Sequence, residues 1–243
     1  MPCICGNNNT TMQSSPVTRL LHKYADTFHP VVSFLPGKDK LLPMDFTANN
    51  TDLKPEIYND TNAFSTYINQ LLQNNTCRYG IGGYGEHRVI YAGNHHFDAG
   101  DEPRRLHLGI DIWGPAGTPV YAFMGGSVHS FAFNNNKGDY GGTLILLHQL
   151  DGFAFHTLYG HISVKDIENL NAMQYVVRGQ QIAHFGEPEE NGQWPPHLHF
   201  QVIIDMQMKQ GDYPGVCKYS EKEKYLQNCP DPDLILQMNR WME

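Results

Sequence analysis

The sequence predicts a mainly β protein of the α+β class, with an antiparallel sheet at its core. From Arg88 to about Ile204, short runs of β-branched and aromatic residues alternate with clusters of Gly, Pro and Asn. Strands separated by a turn about every 8–12 residues are typical of antiparallel sheets. The clearest runs are RVIYA, PVYAFM, GSVHSFAF, GTLILLHQL, FAFHTLYGHI, QIAHFG and HLHFQVII.

Helical patterning is confined to the two ends of the chain. Apolar residues recur at helical spacing near residues 61–73, which predicts an amphipathic helix. The apolar face consists of Phe64, Tyr67, Ile68, Leu71 and Leu72. A shorter helix is expected within 16–32, beginning near Pro16 and ending at Pro30. The tail DPDLILQMNRWME returns to helical spacing.

These patterns divide the chain into four parts. Residues 1–16 are rich in Asn, Thr and Ser and are expected to be disordered. Residues 17–85 form a partly helical segment that is expected to pack against the core. The β-rich domain is predicted over 86–208, and a C-terminal extension with a short helix over 209–243.

Composition argues against two classes of protein. The 243 residues carry a formal net charge of −8, whereas a nucleic-acid-binding domain presents a basic face. No apolar run approaches the roughly 20 residues of a membrane-spanning helix.

The start of the chain lacks the basic and apolar stretches of a secretory signal. We therefore expect a cytoplasmic protein or, if a signal has been removed, a periplasmic or extracellular one.

The five cysteines are odd in number and scattered, so they do not indicate a disulfide framework. Cys3 and Cys5 could contact a metal, but two ligands near a terminus make a weak site. Cys217 and Cys229 could pair in an oxidising compartment and are free thiols otherwise.

Two histidines in PPHLHFQV are placed to address one small site. His197 and His199 are two residues apart, so on a strand they share a face with Cα atoms about 6.5 Å apart. Histidine is the commonest metal ligand in proteins. The alternative is a pair of exposed histidines on a polar strand face.

A second candidate pair lies in HLGID, where His107 and Asp111 flank Gly109. Glycine and the β-branched neighbours favour a strand over a helix. A straight strand would separate the two side chains by about 13 Å, too far for two atoms that each bind one zinc at about 2.0–2.2 Å. Glycine can adopt angles that bend the chain, so a bend at Gly109 would bring them together. The alternative is a strand glycine beside an unrelated capping aspartate.

FAFHTLYGHISV supplies two further histidines. His156 and His161 are five apart, so a continuous strand would point them to opposite faces and at most one would face the site. A His–Asp–His set would leave a fourth zinc position open, as catalytic sites do. The HExxH motif of helical metalloproteases is absent.

Four motifs in order resemble the lysostaphin-type (LytM) zinc metallopeptidases, which cleave peptidoglycan peptides. They are HLGID, PAGTPVYAFMGGSV, YGHIS and RGQQIAHFGEPEENGQWPPHLHFQV, and they cover about residues 105–204. The resemblance implies the antiparallel sheet of the LytM, or duplicated-hybrid-motif, fold. One departure is the acidic, proline-bearing loop GEPEENGQWPPH, where the family usually has a short Gly/Ser stretch.

The resemblance also implies residue roles. One Zn²⁺ per chain would be held by His107, Asp111 and His199, with His161 and His197 as the unligated catalytic pair. Residues that orient the ligating imidazoles are not marked by the motifs. Candidates that are close in sequence are Tyr159, Arg105 and His156.

The implied function is zinc-dependent hydrolysis of peptide bonds, in peptidoglycan cross-links or stem peptides, by zinc-activated water with histidine assistance. Two alternatives remain: a zinc hydrolase of another small peptide or amide, and a non-catalytic LytM-like binding or regulatory domain. The expected partner is a peptide or peptidoglycan substrate. Neither nucleic acid nor a transmembrane segment is expected.

Overall fold

A computed structural model describes residues 15–242. It contains twelve strands and six α-helices within that range. The strands are β1 Leu41–Met44, β2 Tyr79–Gly82, β3 Arg104–His107, β4 Ile110–Trp113, β5 Pro119–Tyr121, β6 Gly126–Asn134, β7 Gly141–Leu150, β8 Phe153–Ile162, β9 Tyr175–Val176, β10 Gln181–His184, β11 His197–Ile203 and β12 Val216–Lys218. The α-helices are α1 Pro16–Tyr24, α2 Pro55–Tyr58, α3 Thr61–Asn74, α4 His95–Asp98, α5 Lys222–Asn228 and α6 Asp233–Leu236.

Eight strands form one sheet in the order β1-β2-β4-β11-β8-β7-β6-β9. Every neighbouring pair is antiparallel except β1 and β2, which run parallel. Two small antiparallel ribbons, β5 with β10 and β3 with β12, complete the strand pairing. The predicted mainly β class with a large antiparallel sheet is confirmed, and the parallel edge pair is an addition to it.

Residue alternation on β4 and β11 separates the core from the candidate site. Even-numbered residues of both strands are fully buried in the main hydrophobic core. They are Ile110, Ile112, Leu198, Phe200 and Val202. Odd-numbered residues therefore lie on the opposite face, and the register places His199 beside Asp111 and His197 beside Trp113. Burial of the apolar face thereby fixes which polar side chains meet.

The helix predicted near residues 61–73 is confirmed as α3. Phe64, Ile68 and Leu72 are its buried residues, and the Asp60 side chain accepts a hydrogen bond from the backbone N–H of Ala63 at 2.8 Å. An aspartate at this position satisfies a backbone donor that the first turn leaves unpaired.

The other N-terminal helix is shorter than predicted. Helix α1 ends at Tyr24 and one 3₁₀ turn continues to Thr27, so Pro30 does not end it. The backbone N–H of His29 bonds to the carbonyl of Phe123 at 2.8 Å, so the chain joins the core before it reaches Pro30.

The predicted disordered stretch 1–16 also needs correction at its end. Ser15 caps α1 by accepting the Thr18 N–H at 3.0 Å, and Pro16 is the first helical residue. Residues 1–14, with Cys3 and Cys5, lie outside the described part of the chain.

The RVIYA run is not a strand, contrary to the prediction. Residues 89–92 form a bend and turns, with hydrogen bonds from the Val89 N–H to the Phe46 carbonyl and from the Ala92 N–H to the Val89 carbonyl. The segment 17–85 instead contributes β1 and β2 to the main sheet, which its polar composition does not indicate. The boundaries expected after residues 85 and 208 stay predictions.

Two smaller points concern the described residues. Cys217 and Cys229 are both free, and burial raises the pKa of each thiol to about 12. No helix in the range 15–242 is long and apolar enough to cross a membrane.

Acid is expected to destabilise the fold partly through His148, on β7. Its ring lies between the Gly125 carbonyl and Thr157 Oγ1, and burial lowers its pKa from 6.5 to about 4. Between pH 4 and pH 6.5 the unfolded chain therefore binds more protons than the folded chain. The stabilising contribution of neutral His148 is present above pH 6.5 and is lost as the pH falls towards 4.

The loss attributable to His148 at pH 4.5 is about 2–3 kcal/mol relative to pH 7. Urea unfolding at the two pH values should therefore show a smaller pH-dependent loss for His148→Gln than for wild type. The exposed His22→Gln variant is the control. An identical pH-dependent loss in all three proteins would exclude His148 as a source of acid lability.

Candidate metal centre

The structure brings His107, Asp111 and His199 together on the face of the sheet opposite the main core. Their closest donor atoms form a nearly regular triangle: His107 Nε2 to His199 Nδ1 is 3.0 Å, His107 Nε2 to Asp111 Oδ1 is 3.3 Å, and His199 Nδ1 to Asp111 Oδ1 is 3.0 Å. All three residues are buried. They are the one such group that could hold a metal ion within the described range. Donors bound tetrahedrally to zinc lie about 3.3–3.5 Å apart, so the triangle is close to the size that zinc requires.

Hydrogen bonds on the outer side of each imidazole determine which nitrogen carries the proton. Nδ1 of His107 lies 3.0 Å from the carbonyl of Gly83, which can only accept. The Gln201 NH₂ group donates to the Pro214 carbonyl at 3.1 Å, leaving its Oε1 to accept from Nε2 of His199 at 2.9 Å. Both imidazoles therefore present an unprotonated nitrogen to the centre of the triangle.

Three lone-pair-bearing atoms thus face one another in a buried space. Two imidazole nitrogens and a carboxylate oxygen repel each other at about 3 Å unless a cation lies between them. Two nitrogens and one oxygen are a donor set that zinc favours. The residues present fit a zinc ion by both geometry and chemistry.

Charges around the triangle favour ionised Asp111 and neutral His107. Burial opposes ionisation of Asp111, but the positive charge of Arg88 beside it favours the carboxylate, and the pKa of Asp111 lies well below its ordinary value. Burial and the Arg88 charge lower the pKa of His107 to about 4. These are the protonation states in which both residues bind a cation.

The bend predicted at Gly109 is present, but glycine is needed there for a different reason. The chain leaves β3, which pairs with β12, and enters β4, which pairs with β11. Gly109 is not among the residues with positive φ. A Cβ at this position would instead lie 2.5 Å from Cε1 of His199 and 2.8 Å from the carbonyl oxygen of Phe200. Glycine therefore makes room for the third proposed ligand.

Gly109→Ala should consequently displace His199 and weaken zinc binding. Overpacking costs about 1–3 kcal/mol, which corresponds to roughly 5- to 150-fold in affinity if the site bears the cost. Competition with a chelator measures the change. Gly83→Ala is the control, because its Cβ would meet nothing closer than 3.8 Å. Equal zinc affinity in both variants and wild type would refute this role.

His161 and His197 lie beside the triangle, and their rings contact each other. The His197 ring stacks on the Trp113 ring at 3.9 Å with an interplanar angle of 15°, and it lies 4.1 Å from the tilted His161 ring. Nδ1 of His161 donates to the Asn191 carbonyl at 2.7 Å, and Nδ1 of His197 donates to the Pro195 carbonyl at 2.8 Å. Each ring therefore has an unprotonated Nε2 that can accept a proton.

A β-bulge turns His161 towards this site. Gly142 pairs with Ile162 and Leu144 with Tyr159, so two residues of β8, Gly160 and His161, oppose one residue of β7. His161 has a φ of 61°, in the left-handed region that is uncommon for side-chain-bearing residues. In a regular strand His161 would share the core-facing side with Tyr159, and the bulge reverses this.

The three candidates for orienting the imidazoles are wrong. Tyr159 packs on Phe200 in the core, Arg105 forms an ion pair with Asp98, and His156 contacts the ring of His129. The orienting partners are instead Gly83 and Gln201 for the imidazoles, together with Arg88 for Asp111. Gln201 could have been found, because it lies two residues after His199 on the same strand face. Arg88 and Gly83 carry no sequence signal of this kind.

A cleft opens above the five residues. Aromatic side chains from separate parts of the chain form its walls. They are Tyr91, Phe97, Tyr140, Trp194 and Tyr213. Trp194 belongs to the loop that departs from the usual Gly/Ser stretch, and Asn191 of this loop bonds to both the Gly186 and Trp194 carbonyls. The loop GEPEENGQWPPH therefore lines the cleft with Trp194 and positions His161 through the Asn191 carbonyl.

We compared the chain with families of known proteins. Residues 105–211 match the model of Peptidase family M23. This segment is similar to peptidase family M23. The resemblance predicted from the four motifs is thereby confirmed, and all five residues singled out by it lie inside the M23 segment.

Relatives of the M23 segment include curated proteins from two Neisseria species. The DD-carboxypeptidase/endopeptidase Mpg of Neisseria meningitidis serogroup B is 34% identical over 105 residues, or 42% of this chain. Its counterpart in Neisseria gonorrhoeae gives the same values. The match spans 21% of the length of each relative.

Solved structures are similar over parts of the chain. A zinc-containing peptidase from Vibrio cholerae is 30% identical over 41% of this chain and 28% of its own, with a TM-score of 0.33. The catalytic domain of lysostaphin from Staphylococcus simulans is 24% identical over 64% of this chain and 96% of its own, with a TM-score of 0.40.

Proposed function

We propose that this chain is a zinc-dependent metallopeptidase that hydrolyses peptide bonds in peptidoglycan cross-links or stem peptides. The observation that carries the proposal is the convergence of three lone-pair donors at the floor of a cleft that also holds two proton-accepting histidines. The match of residues 105–211 to a peptidase family supports the peptidase activity. The Neisseria relatives are named DD-carboxypeptidase/endopeptidase, which supports a peptide as the substrate.

His107, Asp111 and His199 are the proposed ligands of one zinc ion per chain. When bound there, zinc would polarise the scissile carbonyl and lower the pKa of an attacking water. The protein's contribution is to hold the three donors in a small, buried triangle. It also keeps each imidazole in the tautomer that presents a lone pair.

His161 and His197 are the proposed catalytic pair. Their Nδ1 atoms are occupied by backbone carbonyls, so Nε2 is the position that exchanges protons. One ring accepts the proton that the attacking water releases as the carbon–oxygen bond forms. A proton then passes to the leaving nitrogen as the carbon–nitrogen bond breaks. The stack with Trp113 holds His197 in place for this transfer.

The test is incubation of the zinc-loaded protein with defined muropeptides, followed by mass analysis of the products. The proposal predicts fragments whose summed masses exceed the substrate mass by one water per cleaved bond. Cleavage of unrelated peptides alone would indicate a hydrolase of another substrate. A zinc-loaded protein that binds muropeptides without cleaving them would indicate a non-catalytic binding domain.

A further inference from the structure

The two oxygens of Asp111 have different neighbours. Oδ1 faces His107 Nε2 at 3.3 Å and His199 Nδ1 at 3.0 Å, inside the triangle. Oδ2 lies 2.5 Å from Nη1 of Arg88, outside it. The carboxylate therefore presents a single oxygen to the proposed metal.

Arg88 is held rigidly in its position. Its side chain has no exposed surface, and its Nε donates to Oε2 of Glu86 at 2.7 Å. Nη1 also lies 3.1 Å from the hydroxyl of Tyr91, and the ring of Phe46 lies beneath the guanidinium at 5.2 Å. A planar guanidinium with these contacts has one orientation, unlike the flexible point charge of a lysine.

The same guanidinium reaches the partner of a second proposed ligand. Nη2 of Arg88 donates to the Gly83 carbonyl at 3.3 Å, and this carbonyl also accepts the Nδ1 proton of His107. One side chain thus contacts Asp111 directly and His107 through a shared acceptor. Arg88 is therefore linked to two of the three proposed ligands.

These contacts come from outside the M23 segment. Gly83, Glu86, Arg88 and Tyr91 all precede residue 105, where the family match begins. They are carried next to the site because β2 pairs with β4, with Gly82 opposite Asp111. A Cβ at Gly82 would lie 2.7 Å from Nη2 of Arg88, so the edge strand leaves room for the guanidinium.

We infer that Arg88 is a positioning residue for the metal centre, which the preceding segment thereby completes. By binding Oδ2, Arg88 makes Asp111 a one-oxygen ligand and keeps a coordination position open for water or substrate. Loss of this contact would free Oδ2 to bind the metal as well, raising its coordination number. The inference rests on the proposed function, because it takes the triangle as a zinc site.

The test compares Arg88→Lys with wild type by zinc affinity and by the visible absorption of the Co²⁺-substituted protein. Cobalt absorbs more strongly at four-coordinate sites than at five- or six-coordinate ones. We expect zinc affinity to fall about 10- to 100-fold, as is typical when a residue that orients a ligand is lost. The cobalt bands should weaken as Asp111 becomes a two-oxygen ligand.

Arg105→Lys is the matched control. Arg105 is also buried and forms an ion pair, with Asp98, but it contacts none of the three proposed ligands. The inference would be overturned if folded Arg88→Lys had the zinc affinity and cobalt absorption of wild type. It would also be overturned if Arg105→Lys changed both properties as much as Arg88→Lys does.

A second variant keeps the test decisive if Arg88→Lys fails to fold. Glu86→Gln replaces the carboxylate oxygen opposite Nε of Arg88 and leaves Arg88 itself intact. Glu86→Gln should weaken zinc binding less than Arg88→Lys does. If Glu86→Gln had the zinc affinity and cobalt absorption of wild type, the inference would be overturned. If wild type binds no zinc at the triangle, the proposed function fails instead, so the two failures are distinguishable.

Discussion

His199→Ala is expected to lose zinc, from about one ion per chain to background. His199 supplies one of three proposed ligands, so its loss leaves two donors that hold a metal far more weakly. We expect the affinity to fall by more than about 100-fold, beyond the 10- to 100-fold that loss of an orienting partner costs. Peptide hydrolysis should disappear with the metal. Metal analysis of the purified variant, at equal protein concentration and after dialysis, measures the loss.

The control for this variant is His156→Ala. His156 lies on β8, contacts the His129 ring and is not part of the triangle. It should retain zinc at the wild-type level. Full zinc retention in His199→Ala would refute its assignment as a ligand.

His197→Ala is expected to keep zinc but lose hydrolysis. The His197 ring contacts Trp113 and His161, whereas the three proposed donors meet without it. General acid–base catalysis contributes about 10²- to 10⁴-fold, so kcat/KM on a muropeptide should fall by a factor in this range. Zinc content and kcat/KM are measured on the same preparation.

The same His156→Ala variant is the control for hydrolysis and should retain turnover. Turnover undiminished in His197→Ala would remove His197 from the catalytic pair. Loss of zinc together with activity would show that its role is in metal binding.

The central strands could be predicted from sequence because two-residue periodicity is strong there. FAFHTLYGHI coincides with β8, and the first seven residues of HLHFQVII coincide with β11. Alternation also predicts which residues share a face, so His197, His199 and Gln201 follow from the pattern alone. The pairing of Asp111 with His199 needs the register of two strands distant in sequence, which periodicity does not provide.

What the sequence could not predict depends on local backbone geometry or on long-range contacts. The bulge at Gly160 and His161 is invisible to a strict two-residue repeat, yet it decides that His161 faces the cleft. RVIYA has strand-type composition, but residues 89–92 form a bend and turns, and Arg88 is buried against Asp111. Composition alone does not reveal that a buried arginine has a carboxylate partner 23 residues away.

The most direct test of the account is zinc X-ray absorption spectroscopy of the purified protein. A site built from His107, Asp111 and His199 predicts only nitrogen and oxygen neighbours, at about 2.0–2.2 Å, with outer scattering from two imidazoles. A sulfur neighbour at about 2.3 Å would indicate cysteine ligation and would contradict the account.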